Sequence, residues 1–457
     1  MKIALLQPKY PHGNKSQTYL PGGLMNLGSR LLEAGVEVEF CDLNHMKWSE
    51  EREMLDGCDL IGLTILGAPY IPVVIALIKE MRAAGVTQPI LVGGEGVARL
   101  ESGHFNVWFA GLDAWQAKSD LAIASACGIK HHMLRSAYET SMVPMLKQLS
   151  KDQLREYLTA EFSLFTSQGC AFNCDFCAAD KARKEQYRTI ESLADELRFI
   201  CQFLQGVGHS ELRVYVTNLD AFQTPEKLEE VLHSICSIAS EYGITPHVRC
   251  LATSKCTHHA CRSDPGLAKR LHDYGLKIVA FGADGADEET WEEQNKRHND
   301  LKELRFACSE MENADIEVEL LMVIGFPRKP NRTFRQYFKS LWKGFLFSLA
   351  EAMRGRIIRP YLAKQHTPSG PWPADNPLVR AFLEDSNLLM RLDYAMIGSK
   401  ETHPDRAERF VVNAVYLAII ALLTPVGKCP TSPLVPVPRG FGRSLASAVN
   451  RLMPFDR

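Results

Sequence analysis

At 457 residues the chain is longer than one hydrophobic core usually sustains, and its 46% hydrophobic and 23% charged content excludes a disordered protein and predicts several packed domains. A formal net charge of −2 excludes a general field steering it to nucleic acid or an anionic membrane, so any such partner would need a local patch. Thirteen cysteines, with no secretory leader in MKIALLQPKY, predict reduced thiols in a cytoplasmic protein and exclude a disulfide scaffold.

From residue 1 to 128, short apolar runs alternate with helical patterns: KIALLQP, GGLMNLGSRLLEAG, VEVEFCDL, DLIGLTIL, PYIPVVIALIKEMRAAG and PILVGG. This rhythm predicts an α/β, mostly parallel, doubly wound Rossmann-like sheet. Such sheets bind ligands outside the carboxyl ends of their strands, which here are Gln7-Pro8, Asp42-Leu43, Leu66-Gly67 and Gly93-Gly94. Residues 129–161 are polar and helical, as a connector would be. From 162 to 370 a second rhythm begins, in which LFTSQGC, ELRVYVTN, ITPHVRCLA, KIVAFGAD, EVELLMVIG and RIIRPYLA read as six strands between helical patterns. Six βα units predict a partial TIM-type (β/α)6 barrel with its site at the strand carboxyl ends. Residues 371–457 are predicted mainly helical. There FVVNAVYLAIIALL, from Phe410 to Leu423, is too short and interrupted for a membrane span, and reads as a buried helix or one facing lipid.

The segment SQGCAFNCDFCAAD places Cys170, Cys174 and Cys177 in C-x-x-x-C-x-x-C spacing just after the first barrel strand. Three soft thiolates on one loop suit an iron–sulfur cluster or zinc. A closed structural zinc site wants a fourth ligand, and none follows at finger-like distance, whereas three cysteines leave one iron of a four-iron cluster open. Cys256, His258, His259 and Cys261 in KCTHHAC have ligand types for a second metal, and read equally as a polar loop.

With Phe176 directly before the last cysteine, this spacing resembles the signature of the radical S-adenosylmethionine (SAM) superfamily. The resemblance implies a [4Fe-4S] cluster on Cys170, Cys174 and Cys177, with SAM chelating the open iron and cleaved by one electron to a deoxyadenosyl radical. It also implies that GADGADEETW and MVIGFP lie near SAM, pointing to Gly282, Asp284, Ile324, Gly325 and Pro327, although such residues also make ordinary turns at barrel rims. The motif that usually receives the SAM amino group is replaced by Thr217-Asn218-Leu219-Asp220, leaving Asn218 or Asp220 as candidates.

A doubly wound domain before such a barrel resembles the cobalamin-binding radical SAM subfamily, whose members include class B methyltransferases. LPGGLMNLGSRLLEAG, PILVGGEGV and RPYLAKQHTPSGPW carry this likeness. It implies cobalamin at Leu66, Gly67, Gly93 and Gly94, and methylation of an unactivated carbon in a small or lipid-like metabolite, served by a one-electron donor such as flavodoxin or ferredoxin. Oxidation, cyclisation or ring contraction with the same cofactors, or a degenerate accessory subunit, are the alternatives. Asp42-Leu43-Asn44-His45 departs from the motif that supplies an axial histidine, and His45 reads as a surface histidine. FNVWFAGLDAWQA departs from the group's acidic, glycine-containing turn after the fifth strand. No basic patch with interleaved aromatics predicts nucleic acid.

Overall fold

The computed structural model describes residues 1–9, 20–66, 70–94, 97, 105–106, 108–177, 185–363, 403 and 405–429. Two parallel sheets organise them. The first joins β1 (Lys2–Gln7), β2 (Glu37–Asp42), β3 (Leu60–Thr64), β4 (Ile90–Gly93) and β5 (Ala114–Gln116) in the order β2-β1-β3-β4-β5. Between its strands run α1 (Gly22–Glu33) and α2 (Tyr70–Ala83). β1 is a continuous apolar run because both of its faces are covered: Ile3 and Leu5 pack with Met25 and Leu31, while Ala4 and Leu6 pack with Val74 and Ile78. The strand order reverses between β1 and β3, which opens the crevice at their carboxyl ends.

The stretch read as a polar connector is packed into the larger core. Met142, Met145, Leu146, Tyr157 and Leu158 are buried there, the last two on α3 (Lys151–Leu158). Arg188 and Glu196 form a fully buried ion pair, and Glu196 Oε1 accepts from Met142 N at 2.7 Å while Arg188 donates to the Thr140 carbonyl at 3.0 Å. Tyr157 in turn donates to the buried Asp42 at the end of β2.

The second sheet is a half-barrel ordered β13-β12-β11-β10-β9-β6. Its strands are β6 (Phe162–Leu164), β9 (Glu211–Val216), β10 (Thr245–Ala252), β11 (Leu276–Gly282), β12 (Glu317–Ile324) and β13 (Ile357–Leu362). The first is shorter than its apolar run predicts. Arg188 takes the Phe165 and Thr166 carbonyls, and the chain then pairs β7 (Ser167–Gln168) with β8 (Gln186–Tyr187) in an antiparallel ladder. The principal barrel helices are α4 (Ile190–Gly206), α5 (Pro225–Glu241), α6 (Ser254–Ser263), α7 (Glu288–Glu293), α8 (Leu301–Asn313) and α9 (Phe334–Met353). Between strands, Glu319 at 1% exposure is shared by Arg249 on β10 and Arg359 on β13, a charge network binding three strands.

The apolar Phe410 run forms α10 (Arg406–Leu423), which buries Val412, Val415, Ile419 and Ile420 against α9 and β13. No helix among the described residues is long and apolar enough to cross a membrane. Gly325 lets α10 approach: its φ is +76°, and a Cβ there would stand 2.3 Å from Val412 Cγ1.

Candidate functional site: a three-cysteine loop at the mouth of the half-barrel

Cys170, Cys174 and Cys177 are half-buried on the loop that leaves β7, at the carboxyl end of the barrel. The loop is fastened on two sides. Ala171 N donates to Gln223 Oε1 at 2.7 Å, beyond β9, and Gln223 is held by Glu185, which also accepts from Ser167. On the other side lies the segment 294–299. Asp175 N donates to the Gln294 carbonyl at 3.0 Å, Asn295 Nδ2 donates to the Asn173 carbonyl at 2.7 Å, and Phe172 stacks on His298 at 3.8 Å between centroids.

Lys296 belongs to the same segment and is buried. It pairs with Asp284, donates to the Gly282 carbonyl at 2.8 Å, and sits 5.7 Å from the centre of the Phe176 ring. Burial pushes the Cys174 thiol up to about 11, with the Lys296 ammonium pulling it the other way, and burial also raises Cys170. Neutral thiols are therefore what this pocket favours until a cation stabilises the thiolates. His298 is held neutral, lowered to about 3 by burial and by the Lys296 and Lys255 charges.

Among the described residues, the set whose ligand atoms all lie within 4.8 Å of one another is His258, His259 and Glu303.

The other expected positions fall around this loop with differing roles. Asn218, 6% exposed just past β9, keeps an unpartnered side-chain oxygen. Asp220 is committed elsewhere: its carboxylate accepts from Thr253 N at 3.0 Å and Thr253 Oγ1 at 2.7 Å, fixing the start of α6. Asp284 is likewise engaged, by Lys296 and by Val323 N at 3.2 Å. Phe176 lies 5.1 Å from Phe326, between Gly325 and the exposed Pro327, and Ile324 is buried. A small open pocket behind Ile324 and Gly325 is lined by Tyr337, Ser340 and Gly344 of α9.

KCTHHAC does not gather as a four-ligand set. It is helical in α6; Cys261 enters the core, and His258 and His259 turn toward Glu303 on α8. At the first sheet, Gly94 has φ +95°, and a Cβ there would meet Thr64 Oγ1 at 2.6 Å and the Ile65 carbonyl at 2.7 Å. Gly93 continues β4, Leu66 is 51% exposed at the crevice mouth, and Gly67 lies outside the described residues. Gln7, at the end of β1, keeps a buried, unpartnered Oε1. His45 is engaged by two carboxylates, with Nδ1 3.2 Å from Glu156 and Nε2 3.6 Å from Asp42. The fifth strand, β5, lies within the departed stretch FNVWFAGLDAWQA.

The segment 294–299 carries the site residues that spacing and composition miss. QNKRHN follows the GADGADEETW turn as a polar run without apolar period, and only its placement against the cysteine loop shows its part.

Residues 164–341 match the family model described as the radical SAM superfamily. No curated protein sequence matches the chain. Among solved structures, the fold is similar to that of OxsB, a cobalamin-dependent S-adenosylmethionine radical enzyme, with aqua-cobalamin and SAM bound: TM-score 0.56 and 11% identity over 85% of this chain and 56% of that one. The form of OxsB with aqua-cobalamin alone matches with TM-score 0.56 and 12% identity over the same shares. The chain thus matches little more than half the length of that enzyme. Coproporphyrinogen III oxidase from Escherichia coli, a radical SAM enzyme, is matched with TM-score 0.35 and 12% identity over 60% of this chain and 56% of that one.

Proposed function

We propose that this chain, whose residues 164–341 match the radical SAM superfamily model, holds a [4Fe-4S] cluster on Cys170, Cys174 and Cys177 and uses SAM and cobalamin to methylate an unactivated carbon of a small or lipid-like metabolite. The observation that carries this reading is the three-cysteine loop, fastened on two sides at the mouth of a half-barrel. When bound, the cluster supplies the electron that cleaves SAM to a hydrogen-abstracting radical, and cobalamin supplies the methyl group.

The protein's own residues orient and shield. Asn218, with its buried free oxygen, is the acceptor placed to receive the SAM amino group, since Asp220 is held by Thr253. Gly282, Ile324, Gly325 and Pro327 form the opposite rim, where Lys296 covers Gly282 and Val412 covers Gly325, and Asp284 serves there by holding Lys296. Phe176, Phe326 and the buried Lys296 close the side of the loop against water. In the first sheet, the crevice between β1 and β3 offers the unpartnered Gln7 oxygen and the exposed Leu66, a polar anchor and an apolar shelf for a flat corrin, with Gly93 and Gly94 at the end of β4. The OxsB-like architecture over 85% of the chain supports this second part. Flavodoxin or ferredoxin chemistry fits the one-electron donor this reaction needs.

The test is anaerobic purification with cobalamin supplied, followed by metal and optical analysis and a deoxyadenosine assay on wild type and Cys174→Ala. Iron at about four per chain, bound corrinoid and cysteine-dependent deoxyadenosine are the expected results. Iron and cleavage without corrinoid would remove cobalamin and methyl transfer from the proposal; zinc without iron would overturn it entirely.

A further inference from the structure

The helix α9 departs from the protein's overall charge balance. Residues 327–348, PRKPNRTFRQYFKSLWKGFLFS, contain six Arg and Lys and no Asp or Glu, in a chain whose net charge is −2. Arg328, Arg332 and Lys343 are drawn into ion pairs with Glu408, with Glu289 and Glu293, and with Asp287. Lys329, Arg335 and Lys339 are exposed and make no side-chain pair among the described residues. Beside them runs an aromatic row at helical spacing: Phe334, Phe338 and Trp342 are 42%, 42% and 47% exposed. Phe338 stacks toward Trp342, and Trp342 toward Phe345. The opposite face of α9 is buried through Tyr337, Leu341, Gly344 and Phe347. The adjoining α10 repeats the pattern, leaving Phe410 at 74% and Leu417 at 52% exposure one side of a buried stripe.

Large aromatics left in water beside unpaired cations are poorly explained by folding, because the helix buries its other face to pack. We propose that α9 is a peripheral membrane-docking face that binds an anionic bilayer. Aromatic rings settle at the headgroup boundary, where an apolar body and a hydrated edge are both satisfied, and neighbouring Arg and Lys pair with anionic headgroups. Charge complementarity selects the bilayer as occupant: a wholly basic, aromatic helix face opposes a wholly anionic, apolar-cored surface. The face lies outside the cysteine loop, so docking and cofactor chemistry stand or fall separately.

The test uses the full-length protein in co-sedimentation with phosphatidylcholine vesicles, with and without phosphatidylglycerol. Wild type is expected to sediment with the anionic vesicles, to be released by salt, and to stay in solution with phosphatidylcholine alone. Arg335→Glu combined with Lys339→Glu is expected to weaken binding about tenfold or more, and Phe338→Ser combined with Trp342→Ser to do the same. These sites are exposed, so unchanged circular dichroism and unchanged deoxyadenosine formation accompany the loss. Wild type left in solution with anionic vesicles overturns the proposal, as does either double variant binding like wild type. A wild-type dimer that the aromatic double variant makes monomeric, without vesicle binding, overturns it in favour of an interface between copies.

Discussion

Lys296 carries its charge to a place 6% exposed, where an ammonium survives only because Asp284 and the Gly282 carbonyl receive it. The two halves of the pair are worth little as a sum but much as a bond, since removing one leaves the other charged, buried and alone. Lys296→Met is therefore expected to destabilise the protein by about 3–5 kcal/mol, and adding Asp284→Asn to recover a large part of it. Urea unfolding midpoints of the wild type, the single and the double variant check this. A double variant no more stable than the single would show that the lysine acts by packing alone. Neither residue's commitment is legible from GADGADEETW, in which Asp284 looks as free for a ligand as any turn acid. Asn218 shows the converse: its sequence marks it only as one of two candidates, and burial with an unfilled oxygen distinguishes it from Asp220.

The strands are legible because parallel strands covered on both faces are mostly apolar, as IALL in β1 and LLMVI in β12 are. Where a side chain from far along the chain takes the backbone groups, the pattern misleads, and Arg188 shortens β6 in that way. KCTHHAC reads as a loop but is helical, which sends Cys261 into the core and His258 and His259 toward Glu303. The segment 294–299 is invisible to either argument. Its key residue is Asn295, at φ +52°, bonded to the Asn173 carbonyl of the cysteine loop. Asn295→Ala combines left-handed strain of about 1–2 kcal/mol with loss of that bond, whereas Asn295→Gly loses the bond alone. The alanine variant is expected to retain less iron than the glycine variant, and both less than wild type, in iron analysis after identical reconstitution. Equal iron in all three would exclude the segment from holding the loop.

At the scale of the molecule, the two rhythms suggest separable lobes, yet one core runs from Ile3 and Leu5 through Tyr157 and Leu158 to the barrel strands. The polarity of residues 129–161 hides this, because the residues that weld the lobes, Met142, Met145 and Tyr157 among them, are few and widely spaced. Shared burial predicts shared unfolding. Calorimetry is expected to show one main transition, and Tyr157→Phe, which strips a donor from the fully buried Asp42, to lower it by about 1–3 kcal/mol of stability without splitting it. Two resolved transitions in the wild type would show that the lobes fold apart despite their common core.

The small β7–β8 ladder has a consequence of a different kind. It pins Ser167 to Tyr187 and Gln168 to Gln186 through backbone bonds that involve no sulfur, so the neck of the cysteine ring is closed whether or not the ring has a guest. Much of the entropy of gathering the three thiols is thus spent while the barrel folds. If the three thiols hold the proposed cluster, their loop is closed before any iron binds, and removal of iron is expected to leave the barrel folded.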